Sequence, residues 1–214
     1  LELAPDRLYE LYGLTEGIIT VQDPPEAEAA PDCVGRPIVG CDILAIDDAD
    51  RPVAPGQPGE IVSRARYVMP GYWNRPDATA DTQWADDRGR EWLRTGDIGV
   101  IDAAGRLSIV DRKKDMILSG GQNIYPADLE AVLLAHEAVQ DAAVFAVPHE
   151  TWGETPMAAV VAGDAAPEAE ALLQWANARV GKQQRLSRLA YVDALPRNPN
   201  GKVLKRQLRS RFAG

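Results

Sequence analysis

The rhythm of apolar and polar positions changes about halfway along this chain. In the first half the apolar positions come in short β-prone runs. Ile38 to Asp47 is one, and Glu60-Ile61-Val62-Ser63 is another. Ile98 to Ile101 and Leu107 to Val110 are two more. Asp102-Ala103-Ala104-Gly105 joins the last pair, and its glycine can adopt φ > 0, so the two runs predict a hairpin. Asp23 to Pro37 is rich in Pro, Ala and acids, shows no helix or strand period, and reads as a loop. Asp48 to Pro58, with three prolines and a glycine, reads as a turn.

Near Lys114 the pattern becomes mixed. Pro126 can open a helix, because its missing N–H would have no partner in a first turn. Leu129, Val132, Leu133 and His136 then recur at helical spacing. Asp141 to Val147 and Met157 to Val161 read as buried strands. Pro167 is expected to start a second helix, with Leu172, Leu173, Ala176 and Val180 on one face and Gly181 at its C-terminal cap. Leu189 to Val192 predicts a third strand. Val203 to Phe212 predicts a short basic helix with Leu204, Leu208 and Phe212 inward. The expected fold class is α+β, with a β-rich part over 1–113 and a compact, smaller α+β domain over 114–214.

Composition narrows the function. The 214 residues carry a net charge of -9, which argues against nucleic acid as a general partner. Against that balance, Arg185, Arg188, Arg197, Lys202, Lys205, Arg206, Arg209 and Arg211 crowd the C-terminal stretch. These side chains read first as a solvated basic face and second as a site for an anionic ligand. Two cysteines, Cys33 and Cys41, and two distant histidines, His136 and His149, make no metal-binding spacing. A reducing, cytoplasmic setting is expected. No charged-then-apolar leader is visible, and no apolar run approaches the ~18 residues of a membrane span. Leu1-Glu2-Leu3 does not look like a natural start.

Five short segments carry candidate chemistry. Tyr12-Gly13-Leu14-Thr15-Glu16 combines an aromatic ring for a base, a flexible glycine, a hydroxyl for a phosphate and a carboxylate suited to Mg²⁺. By itself it reads as a plain turn. Thr95-Gly96-Asp97 could present a carboxylate to ribose hydroxyls, or simply turn the chain. Asp111-Arg112-Lys113-Lys114-Asp115 is a charge run, which is usually a solvated face, and its place where the character changes is also suited to a linker. Ser119-Gly120-Gly121-Gln122-Asn123 could seat a phosphate or make a tight loop. Pro196 to Lys202 is a turn-rich loop with a lysine at its end.

In this order, the five segments resemble the later part of an adenylate-forming enzyme, an AMP-forming acid–CoA ligase (acyl-CoA synthetase). The resemblance runs from Tyr12 to Arg209. It implies that Tyr12 packs on adenine, with Gly13 beside it, that Thr15 contacts the α-phosphate, and that Glu16 holds Mg²⁺. It implies that Asp97 and Arg112 grip the ribose, although the family usually has Gly where this chain has Asp111. Lys114 would be the hinge of a mobile small domain. Gly120 and Gly121 would line the path of the CoA pantetheine, and Lys202 would be the catalytic lysine.

The implied cofactors and substrates are ATP/AMP, Mg²⁺, coenzyme A and a small carboxylic acid. The family's phosphate-cradling loop and most of its acyl pocket are not found in these residues. The resemblance therefore also implies a missing N-terminal part and an isolated chain that is inactive. The basic C-terminal residues Arg206 and Arg209 are a possible seat for the CoA phosphates. An adenylation domain that loads a carrier protein would share these segments. A non-catalytic nucleotide-binding or regulatory module with a relic fold is the other alternative, against which Thr15, Glu16, Asp97, Arg112 and Lys202 together argue.

Overall fold

A computed structural model describes residues 7–163, 165–199 and 201–212. The N-terminal Leu1-Glu2-Leu3 and Asn200 of the lysine loop lie outside the described residues. The chain divides into two compact units, Leu1–Lys113 and Lys114–Gly214.

The first unit is built from two antiparallel sheets. In the first, β1 (Glu10–Leu14), β2 (Ile18–Gln22) and β3 (Arg36–Pro37) lie in that order. The second contains β4 (Cys41–Ile46), β5 (Pro58–Ala65), β6 (Gln83–Ala85), β7 (Glu91–Ile101) and β8 (Leu107–Arg112). Its strand order is β4-β5-β7-β6, with β8 also on β7. The predicted β7–β8 hairpin forms at Asp102, whose Oδ1 accepts the backbone N–H groups of Ala104 and Arg106.

Two short helices interrupt the strands. One corrects the loop expected over Asp23 to Pro37, for α1 spans Pro24–Ala29. Asp23 caps it by accepting the Glu26 N–H at 2.9 Å, and prolines fill its first positions. The other, α2 (Pro76–Asp81), buries nothing. Ile18, Cys41, Ala45, Ile61 and Leu107 form one core of this unit, and Ile46, Val62, Trp84 and Trp92 form a second.

The second unit is a sheet covered on both faces. Its strands are β9 (Ile117–Ser119), β10 (Gln122–Ile124), β11 (Val139–His149), β12 (Gly153–Ala162) and β13 (Arg188–Tyr191). β11 and β12 are antiparallel, and β13 runs parallel to β12. Its helices are α3 (Pro126–Leu134), α4 (Ala169–Asn177) and α5 (Lys205–Phe212).

Successive side chains of a strand point to opposite faces. Ala142, Val144 and Ala146 pack with Leu129 and Leu133 of α3 and Leu172 of α4. Ala143, Phe145 and Val147 pack on the other side with Leu208 and Phe212 of α5. Residues 142–147 must therefore be apolar on both faces, which explains their uninterrupted apolar run.

Two helix boundaries differ from expectation. Pro167 lies before α4, which starts at Ala169, and its carbonyl accepts the Tyr191 hydroxyl at 2.8 Å. Gly181 does not cap that helix: α4 ends at Asn177, and Gly181 (φ -61°) precedes a separate 3-10 turn over Lys182–Gln184. His136 falls just past the end of α3 and packs edge-on against Trp175. Among the described residues no helix is long and apolar enough to cross a membrane.

Candidate functional site

In the first unit, residues from three distant segments meet at one carboxylate. Asp97 on β7 is 3% exposed. Its Oδ2 accepts the Tyr12 hydroxyl at 2.6 Å, and its Oδ1 lies 3.1 Å from Arg112 Nε. Asp97 and Arg112 are paired directly across β7 and β8, so strand register itself sets that contact. A bulge follows at Ile98/Gly99, and Asp97's own N–H is held by Thr95 Oγ1 at 3.1 Å. A carboxylate has about four acceptor positions, and these two contacts use one on each oxygen. Burial, and then the Asp97 carboxylate, pushes the Tyr12 phenol well above its ordinary value of 10.0. Tyr12 therefore donates its proton to Asp97 throughout the neutral range.

Gly13 is required by a close approach. A Cβ there would stand 2.6 Å from the Ile18 carbonyl oxygen across the β1–β2 hairpin. The turn that follows carries Thr15 and Glu16. Thr15 Oγ1 donates to Glu16 at 3.0 Å, and the Tyr72 hydroxyl donates to Glu16 Oε1 at 2.9 Å. The Tyr72 hydrogen bond leads the effects that hold Glu16 below the usual carboxylate range. An ionised carboxylate beside a hydroxyl suits Mg²⁺, which keeps several waters and takes its other ligands from substrate phosphates. Among the described residues no group of three or more His, Cys, Asp or Glu side chains forms a metal cage.

Sequence reasoning missed Tyr72 and also Glu60. The Glu60 side chain is 5% exposed and its Oε2 takes Arg94 Nη1 at 2.7 Å and Lys113 Nζ at 2.9 Å. Lys113 is the residue before Lys114, so Glu60 fastens the last residue of the first unit to its sheet. No local pattern marks Glu60, because its meaning comes from partners 34 and 53 residues away.

In the second unit, Gly120 and Gly121 close the two-residue β9–β10 hairpin with φ of 56° and 81°. That turn type needs φ > 0 at both central positions. Gly120 donates its N–H to the Trp152 carbonyl at 3.2 Å, and a Cβ on it would touch the Trp152 ring at 3.6 Å. The Trp152 ring stacks on His149, 4.5 Å between centroids. Gly120, Trp152, Asn177, Lys182 and Arg185 line a groove of about 530 Å³. Sequence reasoning missed Trp152 and Lys182.

The basic C-terminal stretch is largely engaged within its own unit. Lys205 pairs with Glu130 at 2.8 Å, Arg209 lies 4.0 Å from Asp115, and Arg188 donates to the Phe212 carbonyl at 2.8 Å. Lys202 is exposed at the end of a tight loop, with its N–H held by Asn198 Oδ1 at 2.9 Å. Lys114 sits in a single 3-10 turn, Lys113–Asp115.

The chain is similar to known proteins along most of its length. Residues 1–73 match the family model of the AMP-binding enzyme, and residues 128–202 match that of the AMP-binding enzyme C-terminal domain. A 2-succinylbenzoate–CoA ligase of Geobacillus kaustophilus is 40% identical over 94% of this chain and 41% of its own length. A long-chain-fatty-acid–CoA ligase of Escherichia coli O157:H7 is 38% identical over 100% of this chain and 37% of its own. The chain therefore spans about two-fifths of the length of these relatives. Among solved structures, the o-succinylbenzoate CoA synthetase of Bacillus subtilis in complex with its acyl-adenylate intermediate matches with a TM-score of 0.82. It is 33% identical, over 97% of this chain and 43% of that one. ATP-bound MatB from Rhodopseudomonas palustris matches with a TM-score of 0.86 at 31% identity, over 96% and 41%.

Proposed function

As the chain belongs to the family of AMP-binding, adenylate-forming enzymes, we propose that it supplies the nucleotide-ribose grip and the mobile domain of an AMP-forming acid–CoA ligase. In the first step a carboxylate oxygen attacks the α-phosphorus of Mg·ATP. The bond to pyrophosphate breaks, and an acyl-adenylate forms. In the second, the CoA thiol attacks the acyl carbon, loses its proton and releases AMP.

The observation that carries this reading is the convergence of Tyr12, Asp97 and Arg112. Tyr12 and Asp97 are 85 residues apart yet share a hydrogen bond at 2.6 Å. Asp97 offers its remaining acceptor positions to ribose hydroxyls, Arg112 steadies it, and the Tyr12 ring provides a face for adenine. Thr15 meets the α-phosphate, and Glu16 holds Mg²⁺, which neutralises phosphate charge when bound. Lys202 supplies positive charge as negative charge shifts from carboxylate to phosphate. Such a group contributes about 10²–10³ in rate. Lys114 acts as the hinge between the two steps. The groove beside Gly120 and Gly121, with Lys182 and Arg185, receives CoA.

The test uses the complete gene product, assayed separately for pyrophosphate release with a panel of acids, including palmitate and 2-succinylbenzoate, and for thioester formation from a synthetic acyl-adenylate. Lys202→Ala is expected to slow the first assay about 10²–10³-fold and to spare the second. Equal activity of mutant and wild type in the first assay would remove Lys202 from catalysis. The 214-residue chain alone is expected to form no thioester from acid, ATP and CoA.

A further inference from the structure

We propose that Arg197 is a positioning residue that holds the peptide bearing Lys202; its functional part rests on the role proposed above for that lysine. The carbonyl of Gly201 and the N–H of Lys202 belong to one peptide group. Arg197 Nη1 donates to that carbonyl at 2.6 Å. Asn198 Oδ1 accepts that N–H at 2.9 Å. Both polar ends of the group are thus tied to side chains at the start of the same loop. The loop closes further through Asn198 N–H to the Lys202 carbonyl and Gly201 N–H to the Asn198 carbonyl, each 2.9 Å. Gly201 takes φ of 82°, so the turn that precedes Lys202 is one that L side chains resist.

Arg197 is itself anchored to the sheet. Its Nη2 donates to Asp141 Oδ2 at 2.6 Å. Asp141 stands at the irregularity near the start of β11, where the register with β12 shifts. A bulge of this kind re-aims a side chain. The other carboxylate oxygen of Asp141 accepts the Ala142 N–H at 3.0 Å, which fixes its orientation. The rigid guanidinium fork therefore links the central sheet of the unit to the Lys202 peptide. Lysine in place of arginine could reach one of these acceptors, but not both in that geometry. As a stability element the pair would count for little, because Arg197 is 44% exposed. Its two acceptors give it a more specific task, which is to keep the exposed Lys202 on a backbone that does not wander.

Arg197→Ala, Arg197→Lys and Asp141→Asn test this in two ways. In the 214-residue chain, amide exchange at Gly201 and Lys202 should quicken about 10-fold in both Arg197 variants, while the rest of 114–214 and the melting temperature stay put. Asp141→Asn should give a smaller change of the same pattern. Unchanged exchange at the two amides, or a rise spread over the whole unit, would overturn the proposal. In the complete gene product, Arg197→Ala should slow pyrophosphate release about 10-fold and leave thioester formation from synthetic acyl-adenylate unchanged. It should add nothing in a Lys202→Ala background. Equal losses in both assays, or an additive loss in that background, would overturn it too. If Lys202→Ala itself leaves pyrophosphate release intact, the role given to the lysine fails, and the exchange measurement still decides whether Arg197 holds the loop.

Discussion

At the scale of single residues, the site depends on one buried carboxylate with two partners. Tyr12→Phe keeps the ring and removes the donor to Asp97. Because Asp97 is buried, the expected loss is about 1–3 kcal/mol, read by urea denaturation. The pH dependence should change as well. The phenol is raised above 10.0 by burial and by Asp97, so its contribution is complete below pH 10 and fades as the pH climbs beyond it. Above pH 10 the wild type should therefore lose stability more steeply than Tyr12→Phe. Parallel curves would show that the Tyr12 proton is not shared with Asp97 in this way. Tyr12, Asp97 and Arg112 were legible as candidates from residue type and order. Glu60 and Tyr72 were not, because a Glu at the start of a β-prone run and a Tyr in a Gly-Tyr-Trp run have no distinguishing neighbours in sequence.

At the scale of elements, the hairpins and the two-faced sheet carry the strictest demands. Gly13→Ala would place a Cβ 2.6 Å from the Ile18 carbonyl, and β1 and β2 would have to separate. We expect a loss of about 1–3 kcal/mol in stability, measured by chemical denaturation. Phe145 is fully buried on the α5 side of β11. Phe145→Ala should cost about 3–5 kcal/mol, read in the same way. The long apolar run of β11, the Pro126 start of α3 and the Asp102 hairpin were all readable, because each has a local cause. The six-residue α1 was also signalled, by Asp23 as a cap with Pro24 behind it and Glu26 three residues on. Its poor apolar period concealed it. The boundaries of α4 were misread because Pro167 and Gly181 have punctuating residue types whose task here is different.

At the scale of the whole molecule, each unit has its own core. The second buries Phe145, Leu129, Leu133, Leu172 and Leu208 without help from the first. Residues 114–214 expressed alone should therefore melt cooperatively, which circular dichroism would show. In the complete gene product, Lys114→Pro fixes one backbone angle at the proposed hinge. It should suppress thioester formation from acyl-adenylate while sparing pyrophosphate release. Equal effects on the two would argue against a hinge at that residue.

The sequence by itself determined the class of the fold and the order of the candidate segments. Strand runs, turn glycines, helix-opening prolines and short motifs are local, and local chemistry is written in neighbouring residues. Tertiary structure alone decided which side chains share Asp97, that Glu60 fastens Lys113, that Trp152 backs the Gly120 hairpin and that Arg197 ties the Lys202 peptide to Asp141. Each of these depends on partners brought together by strand register and packing. Most lie tens of residues apart in the chain, and no neighbour in sequence records them.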